Sequence, residues 1–121
     1  MPLEIEFEED PDIADAVVVR LRGTLEVHTA HQLWQRVSER ADANTRFFVF
    51  DFSRVSILTS AGVGMLVRLF IRLRGLGGAV IIHSCSNKVR EVFTVVLLES
   101  VLRVCSTPAQ AHQRLRELAS V

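Results

Sequence analysis

The chain has 121 residues, of which 49% are hydrophobic and 23% charged, and this fits a single domain over residues 1–121 with a substantial core. Its 14 basic and 14 acidic residues cancel, so the overall charge favours neither nucleic acid nor an anionic membrane as a partner, since both attract a basic excess. The N-terminus is acidic where a signal peptide has a basic start, and no apolar run reaches transmembrane length, which predicts a cytoplasmic protein that is not inserted in a membrane.

The first 23 residues predict two strands. Leu3, Ile5 and Phe7 alternate with glutamates, which is the period of a half-exposed strand. Residues 16–22 are rich in β-branched side chains and end at Gly23, and an acidic stretch containing a proline precedes them. The pair therefore predicts an antiparallel hairpin with a longish connection and an exposed first strand.

A helix and a buried strand follow the hairpin. From Thr29 onward the apolar residues recur with helical spacing, at Ala30, Leu33, Trp34, Val37 and Ala41, which predicts a helix. Residues 46–52 are almost continuously apolar, as is typical of a central strand that is buried on both faces of a mostly parallel sheet. The first helix is thus expected to be a crossover between parallel strands.

The second half of the chain continues the alternation. The sequence predicts a loop over residues 53–59, a helix over about 60–74 that ends at Gly75, and a buried strand over 79–83. A third helix around residues 89–96, a short strand over 101–104 and a helix opened by Thr107 and Pro108 complete the chain. The order β-β-α-β-α-β-α-β-α predicts an α/β fold with a mixed, mostly parallel sheet and about four helices.

One loop in this arrangement joins the most buried strand to the most apolar helix. Asp51-Phe52-Ser53 ends the strand, and Thr59-Ser60-Ala61-Gly62-Val63-Gly64 opens the helix. These segments resemble the STAS domains of bacterial anti-sigma factor antagonists, in which D-L-S leads to D-S-S-G-L-G. Gly23-Thr24-Leu25-Glu26 is similar to the family's G-E-L-D, and residues 95–104 are similar to its L-T-G-L-x-x-V-F ending.

The resemblance implies a binding module without enzymatic activity. Its partner would be an anti-sigma factor or a related kinase-like ATP-binding protein, and docking would release a sigma factor. In the family, a serine just before the first glycine is the phosphoacceptor that switches docking off. Ala61 occupies that position here and has no hydroxyl, Thr59 and Glu26 each replace an aspartate, and Leu97 replaces a glycine.

Ser60 and Thr59 are the remaining candidates for a phosphoacceptor, because a phosphate at a helix N-terminus is favoured by the free amides and the helix dipole. The alternative is that either residue simply caps the helix.

We expect the docking face to comprise the loop at residues 53–64, the helix that follows it and the corner at residues 26–29. The apolar residues of helix 60–74 exceed a single stripe, which favours an interface unless a neighbouring helix covers them. We expect structural roles for Asp51, Ser53 and Gly64. The predicted partner contacts are Glu26, His28, Ser56, Thr59, Ser60, Ala61, Gly62, Val63, Met65 and Leu69.

Other functions find less support in the sequence. The two cysteines have no C-x-x-C spacing, and the four histidines show neither metal-ligand spacing nor a catalytic triad, so we expect no metal, cofactor or enzyme activity. The Gly62-Val63-Gly64 turn lacks the third glycine and the lysine of phosphate-binding loops.

Two alternative functions stay open. The first is a permanent STAS subunit of a larger assembly, such as a lipid-transport ATPase or a stress-signalling complex, and the second is a small-molecule or nucleotide sensor. Whichever function holds, the sequence also permits a homo-oligomer formed through the second helix or the exposed first strand.

Overall fold

A computed structural model of the chain describes residues 3–95 and 101–120, and of Val95 only the backbone. Within these residues the elements alternate in the predicted order, which confirms the α/β fold class. They are β1 (Glu4–Glu9), β2 (Ala16–Leu25), α1 (Val27–Asp42), β3 (Phe47–Leu58), α2 (Ser60–Arg74), β4 (Ala79–His83), α3 (Asn87–Val95), β5 (Val104–Cys105) and α4 (Pro108–Ala119).

The described strands form one five-stranded sheet in the order β1-β2-β3-β4-β5. The edge strand β1 runs antiparallel to β2, as predicted, and all the other pairs are parallel. Residues of α1, α2 and α3 share a core with one face of the sheet. Ala111 and Leu115 of α4 pack on the opposite face, against Val49 and Ile81.

The central strand β3 is apolar on both faces because helices cover both. Phe48, Phe50 and Phe52 point into the larger core and are fully buried, whereas Phe47 and Val49 contact the α4 layer. Burying each phenylalanine stabilises the fold by roughly 1.5–3 kcal/mol. This strand therefore anchors the sheet between the two helix layers.

The third strand is longer than the sequence predicts. Instead of a loop over residues 53–59, β3 continues to Leu58, because β2 continues beside it and Leu25 pairs with Leu58 at the end of both strands. The register shifts near Arg22 and between Gly23 and Thr24, and Gly23 has a φ of 125°, so the strands bend while they stay paired. Only Thr59 separates β3 from α2.

The final strand is shorter than predicted. It spans Val104–Cys105 instead of residues 101–104, because residues 101–103 form a turn in which Arg103 has a φ of 47°. The predicted start of α4 is confirmed, since Pro108 occupies its first turn and the Thr107 hydroxyl accepts a hydrogen bond from the Gln110 amide at 3.1 Å. Val96 and Leu97 lie outside the described residues.

Among the described helices, none has the length and apolar character needed to span a bilayer.

Candidate functional site

The N-termini of two helices lie side by side at the carboxyl edge of the sheet. Helix α1 begins directly after β2 and helix α2 directly after β3. Because Leu25 and Leu58 are register partners at the ends of these parallel strands, the two helices begin at the same level. A helix start leaves backbone N–H groups without partners inside the helix, so this edge is rich in hydrogen-bond donors.

Glu26 caps the first of these helices. One of its carboxylate oxygens accepts hydrogen bonds from the amides of His28 at 3.1 Å and Thr29 at 3.0 Å, and the Thr29 hydroxyl accepts one from the Glu26 amide at 2.9 Å. The bond from the Thr29 amide is the main reason that the pKa of Glu26 lies below its usual value. Glu26, predicted as a partner contact, is thus already engaged by its own helix.

The second helix begins without a side-chain cap. Thr59 holds the N-cap position, but its hydroxyl donates to the Leu25 carbonyl at 3.3 Å and makes no capping bond. The expectation that Thr59 caps the helix is therefore wrong, because its hydroxyl links the ends of β2 and β3. Ser60 is the first helical residue and is exposed, and Ala61 after it is half-buried.

The two glycines of α2 have roles opposite to those predicted. A Cβ atom at Gly62 would lie 2.8 Å from side-chain carbons of both Leu25 and Leu58, so only glycine allows this close packing. A Cβ atom at Gly64 would have no neighbour within 4 Å. Gly62 is therefore the structural residue, and Gly64 leaves open space on the surface.

Three predicted partner contacts on α2 are buried, although Met65 still lines a groove between α1 and α2. Val63, Met65 and Leu69 are 3%, 6% and 0% exposed. They belong to the larger core, together with Leu33 and Val37 of α1 and residues of the sheet. The position of α2 between the sheet and α1 explains most of its apolar residues, although Ile71 is 55% exposed. Val63 and Leu69 are too buried to be partner contacts.

The accessible side chains at this edge include two that were not predicted from the sequence. Val27 is 65% exposed and Ile57 is 48% exposed. They follow Glu26 and Ser56, whose side chains are hydrogen-bonded to the backbone of the chain itself. Ser56 is exposed as well, and its hydroxyl donates to the Gly23 carbonyl at 3.2 Å. We call the following residues the helix-start surface: Val27, His28, Ile57, Ser60, Ala61 and Gly64.

A shallow groove of about 240 Å³ runs between α1 and α2 beside Ala61 and Gly64. Val27 and His31 line it on the α1 side. Arg68 and Trp34 also line it, and the Arg68 guanidinium lies over the Trp34 ring, 4.1 Å from the ring centroid. This cation–π contact joins the α1 and α2 sides of the groove.

Asp51 has the backbone contact expected of it. Its carboxylate accepts a hydrogen bond from the Ser53 amide at 2.9 Å. Burial tends to raise the pKa of Asp51, but the hydrogen bonds from Ser53, helped by nearby His83 and Arg20, bring the pKa below its usual value. Asp51 is therefore an ionised carboxylate in the middle of the sheet.

Known proteins share this arrangement of elements. The family model for the STAS domain matches residues 4–111. The anti-sigma factor antagonist SpoIIAA in its unphosphorylated form has a TM-score of 0.80 and 26% identity, with 94% of this chain and 97% of that chain covered.

Two further structures are less similar in sequence. An anti-sigma factor antagonist from Mycobacterium paratuberculosis has a TM-score of 0.83 and 20% identity, with 94% of each chain covered. A sulfate transporter family protein from Wolinella succinogenes has a TM-score of 0.74 and 15% identity, with 93% of this chain and 100% of that chain covered. The last two comparisons show the fold alone, and the family model confirms the predicted resemblance.

Proposed function

The chain belongs to the STAS domain family, and we propose that it is a regulatory module that docks through its helix-start surface onto an anti-sigma factor or a related kinase-like ATP-binding protein. The observation that carries this proposal is the exposure of Val27 and Ile57 beside a helix that starts without a cap. Apolar side chains next to unsatisfied donors are a usual mixture for a protein interface.

The electrostatics of this surface favour an acidic group on the partner. Helix α1 already has the Glu26 carboxylate at its start, whereas α2 has no acidic residue in its first turn and no side chain that accepts from its first amides. The positive end of the α2 dipole and its uncapped first-turn N–H groups therefore favour an anionic group at this helix start. A partner carboxylate placed there would complement the apolar contacts at Val27 and Ile57.

We further propose that docking is constitutive. The family resemblance places the phosphoacceptor at Ala61, which has no hydroxyl to phosphorylate. Of the two substitute candidates, the Thr59 hydroxyl is half-buried and bonded to the Leu25 carbonyl, whereas Ser60 is exposed. Ser60 is thus the more accessible hydroxyl, although its position differs by one residue from that of the family serine.

A permanent subunit of a larger assembly is the second candidate, and Ala61 favours it because such a subunit needs no switch. A STAS-like fold in a sulfate transporter family protein is compatible with this alternative. The nucleotide-sensor alternative gains no support at the glycine turn, because Gly62 is packed against Leu25 and Leu58. Fixed stoichiometry during purification from the native host would favour the subunit over the exchangeable regulator.

The docking surface can be tested with variants that preserve the fold. Gly64→Phe fills the groove and has space for its Cβ, and Val27→Asp places an acid in the first turn of α1, where the helix dipole favours it. Leu76→Asp, in the turn that follows the C-terminus of α2, is the matched control because Leu76 is also exposed, at 49%.

Isothermal titration against purified anti-sigma factors from the same genome gives the readout. We expect the first two variants to bind at least about tenfold more weakly than wild type, a loss of about 1.4 kcal/mol, and the control to bind like wild type. Equal losses in all three variants, or no binding by wild type, would contradict the proposal.

The missing hydroxyl is tested by restoring it. We expect Ala61→Ser to gain a phosphate when it is incubated with a kinase-like partner and ATP, and then to dissociate, because the phosphate adds nearly two negative charges to an apolar contact. Wild type should stay unmodified and bound. Intact-protein mass spectrometry measures both outcomes, and phosphate on wild-type Ser60 would show that the switch has moved.

A further inference from the structure

A row of ionisable side chains crosses four neighbouring strands of the sheet. Glu6 pairs with Arg20, Arg20 with Asp51, and Asp51 with His83. Register partners point to the same face of a sheet, and this is the face on which α4 packs, because Val49 and Ile81 two residues earlier contact that helix. The row therefore lies just beyond the level that α4 covers.

A pocket of about 250 Å³ opens where this row meets α4. Val18, Val49 and Leu115 form the apolar part of its wall, and ionisable residues form most of the remaining wall. Apolar walls with a few converging polar groups are the usual composition of a small-molecule site, and this volume suits a ligand smaller than a drug. The ionisable residues that line it are Asp10, Arg20, Asp51, His83 and His112.

His83 is the most informative of these residues. It is only 5% exposed, and burial lowers its pKa despite the attraction of Asp51, so the imidazole is neutral at neutral pH. Its Nδ1 atom lies 2.8 Å from the Ser84 hydroxyl. The hydrogen bond found for this ring uses Nδ1 and leaves Nε2 for a ligand group, and His83 is part of the pocket lining.

Groups of both charges line the pocket. The Asp51 carboxylate lies on the strand between Arg20 and His83. Arg20 also bonds to exposed Glu8 at 2.7 Å, but a guanidinium has five N–H donors and can hold a second acceptor. Asp10 is largely satisfied by the amides of Asp12 and Ile13 and lies 3.4 Å from His112, so it shapes the pocket more than it offers a contact.

We propose that this pocket binds a small zwitterion with an apolar side chain, of the size of a free aliphatic amino acid. The ammonium group would bind the Asp51 carboxylate and His83 Nε2, and the carboxylate would bind the Arg20 guanidinium. The side chain would contact Val18, Val49 and Leu115. A metal ion fits less well, because the candidate ligand group found among the described residues is Asp10, Asp12 and His112, without His83.

This site is independent of the docking proposal. The pocket lies on the α4 face, whereas α1 and α2 cover the opposite face. Loss of ligand binding would leave the helix-start surface unchanged, and loss of docking would leave the pocket unchanged.

The test uses L-leucine as the probe on the full chain, with thermal unfolding and isothermal titration as readouts. Binding to the native state raises the unfolding midpoint by mass action. We expect L-leucine to raise the midpoint and to bind with a Kd below about 10 mM. Three analogues should each bind at least about tenfold more weakly: 4-methylpentanoate lacks the ammonium, 3-methylbutylamine lacks the carboxylate, and glycine lacks the apolar side chain.

Two variants separate the site from a general charge effect. Arg20→Gln removes the guanidinium from the pocket, and Arg22→Gln removes the same charge two residues along β2, outside the pocket lining. We expect the first to weaken leucine binding at least about tenfold and the second to change it less than about twofold.

The side-chain ¹⁵N signals of His83 give a readout that does not depend on stability. These signals should shift on leucine binding in wild type. Unchanged signals, equal effects of the two arginine variants, or no leucine binding would each overturn the proposal.

Discussion

The two faces of the sheet differ in how far along β3 the helices cover them. On the face covered by α1, α2 and α3, β3 stays apolar along Phe48, Phe50 and Phe52, all fully buried. On the other face Val49 is followed by Asp51, which is half-buried, and then by exposed Ser53. Where helices cover β3 completely, its side chains stabilise the core. Where the helix cover is partial, ionisable side chains remain accessible to a ligand. Both proposed sites lie where a helix begins or stops covering the sheet.

The largest expected effect tests the covered face. Phe50→Ala removes a fully buried ring from the larger core and should lower the free energy of unfolding by about 3–5 kcal/mol. Val49→Ala, one residue away on the α4 face, removes two methyl groups and should cost about 2 kcal/mol. Urea unfolding measures both, and equal losses would mean that the two layers contribute alike.

A second pair of variants separates a packed glycine from an open one on the same helix. Gly62→Ala forces a Cβ against Leu25 and Leu58 and should destabilise the protein by about 1–3 kcal/mol. Gly64→Ala meets no neighbour and should stabilise it by roughly 0.5–1 kcal/mol, because alanine favours the helix. Thermal unfolding that shows the same sign for both would refute this account of α2.

The capping contact of Glu26 predicts a smaller effect that depends on pH. The folded-state pKa of Glu26 lies below its ordinary value of 4.5, so the ionised carboxylate stabilises the fold above pH 4.5. This contribution is lost as the pH falls through the folded-state pKa. Glu26→Ala should therefore lower the unfolding midpoint at pH 7 and have little effect at pH 2–3. A difference that persists at low pH would argue against the ionic cap.

The buried imidazole predicts the smallest effect, and its sign differs from that of a paired histidine. The pKa of His83 lies below its ordinary value of 6.5, so the unfolded chain takes up a proton at a higher pH than the folded chain does. Protonation then favours unfolding, and stability should fall as the pH drops below 6.5. His83→Gln should flatten this dependence between pH 7 and pH 5, which unfolding titrations at each pH would detect.

Local patterns were enough to predict the order of elements, because each element of this fold carries its own periodicity. The alternation of Leu3, Ile5 and Phe7 and the continuous run at residues 46–52 predict β1 and β3 correctly. The Thr107-Pro108 pair predicts the start of α4 because a capping hydroxyl followed by a proline is also a local signal. Short-range signals of this kind do not depend on what packs against the element.

Burial on α2 and the length of β3 depend on neighbours that are distant in sequence. Met65 and Leu69 become core residues because α1 packs over α2, and β3 extends because β2 pairs with it as far as Leu58. The contrast between Gly62 and Gly64 requires the positions of Leu25 and Leu58. The ionisable row has a sequence signal, since Arg20 and Asp51 interrupt apolar strands, but its alignment across strands requires the register.

The most direct test of the docking account is amide hydrogen exchange of the chain, alone and with a saturating anti-sigma factor that binds it. We predict added protection in the amides of residues 26–29 and 57–65, at the carboxyl edge where α1 and α2 begin, and unchanged exchange in α4. Protection of α4 instead, with residues 57–65 unaffected, would contradict the assignment of the helix-start surface as the site of docking.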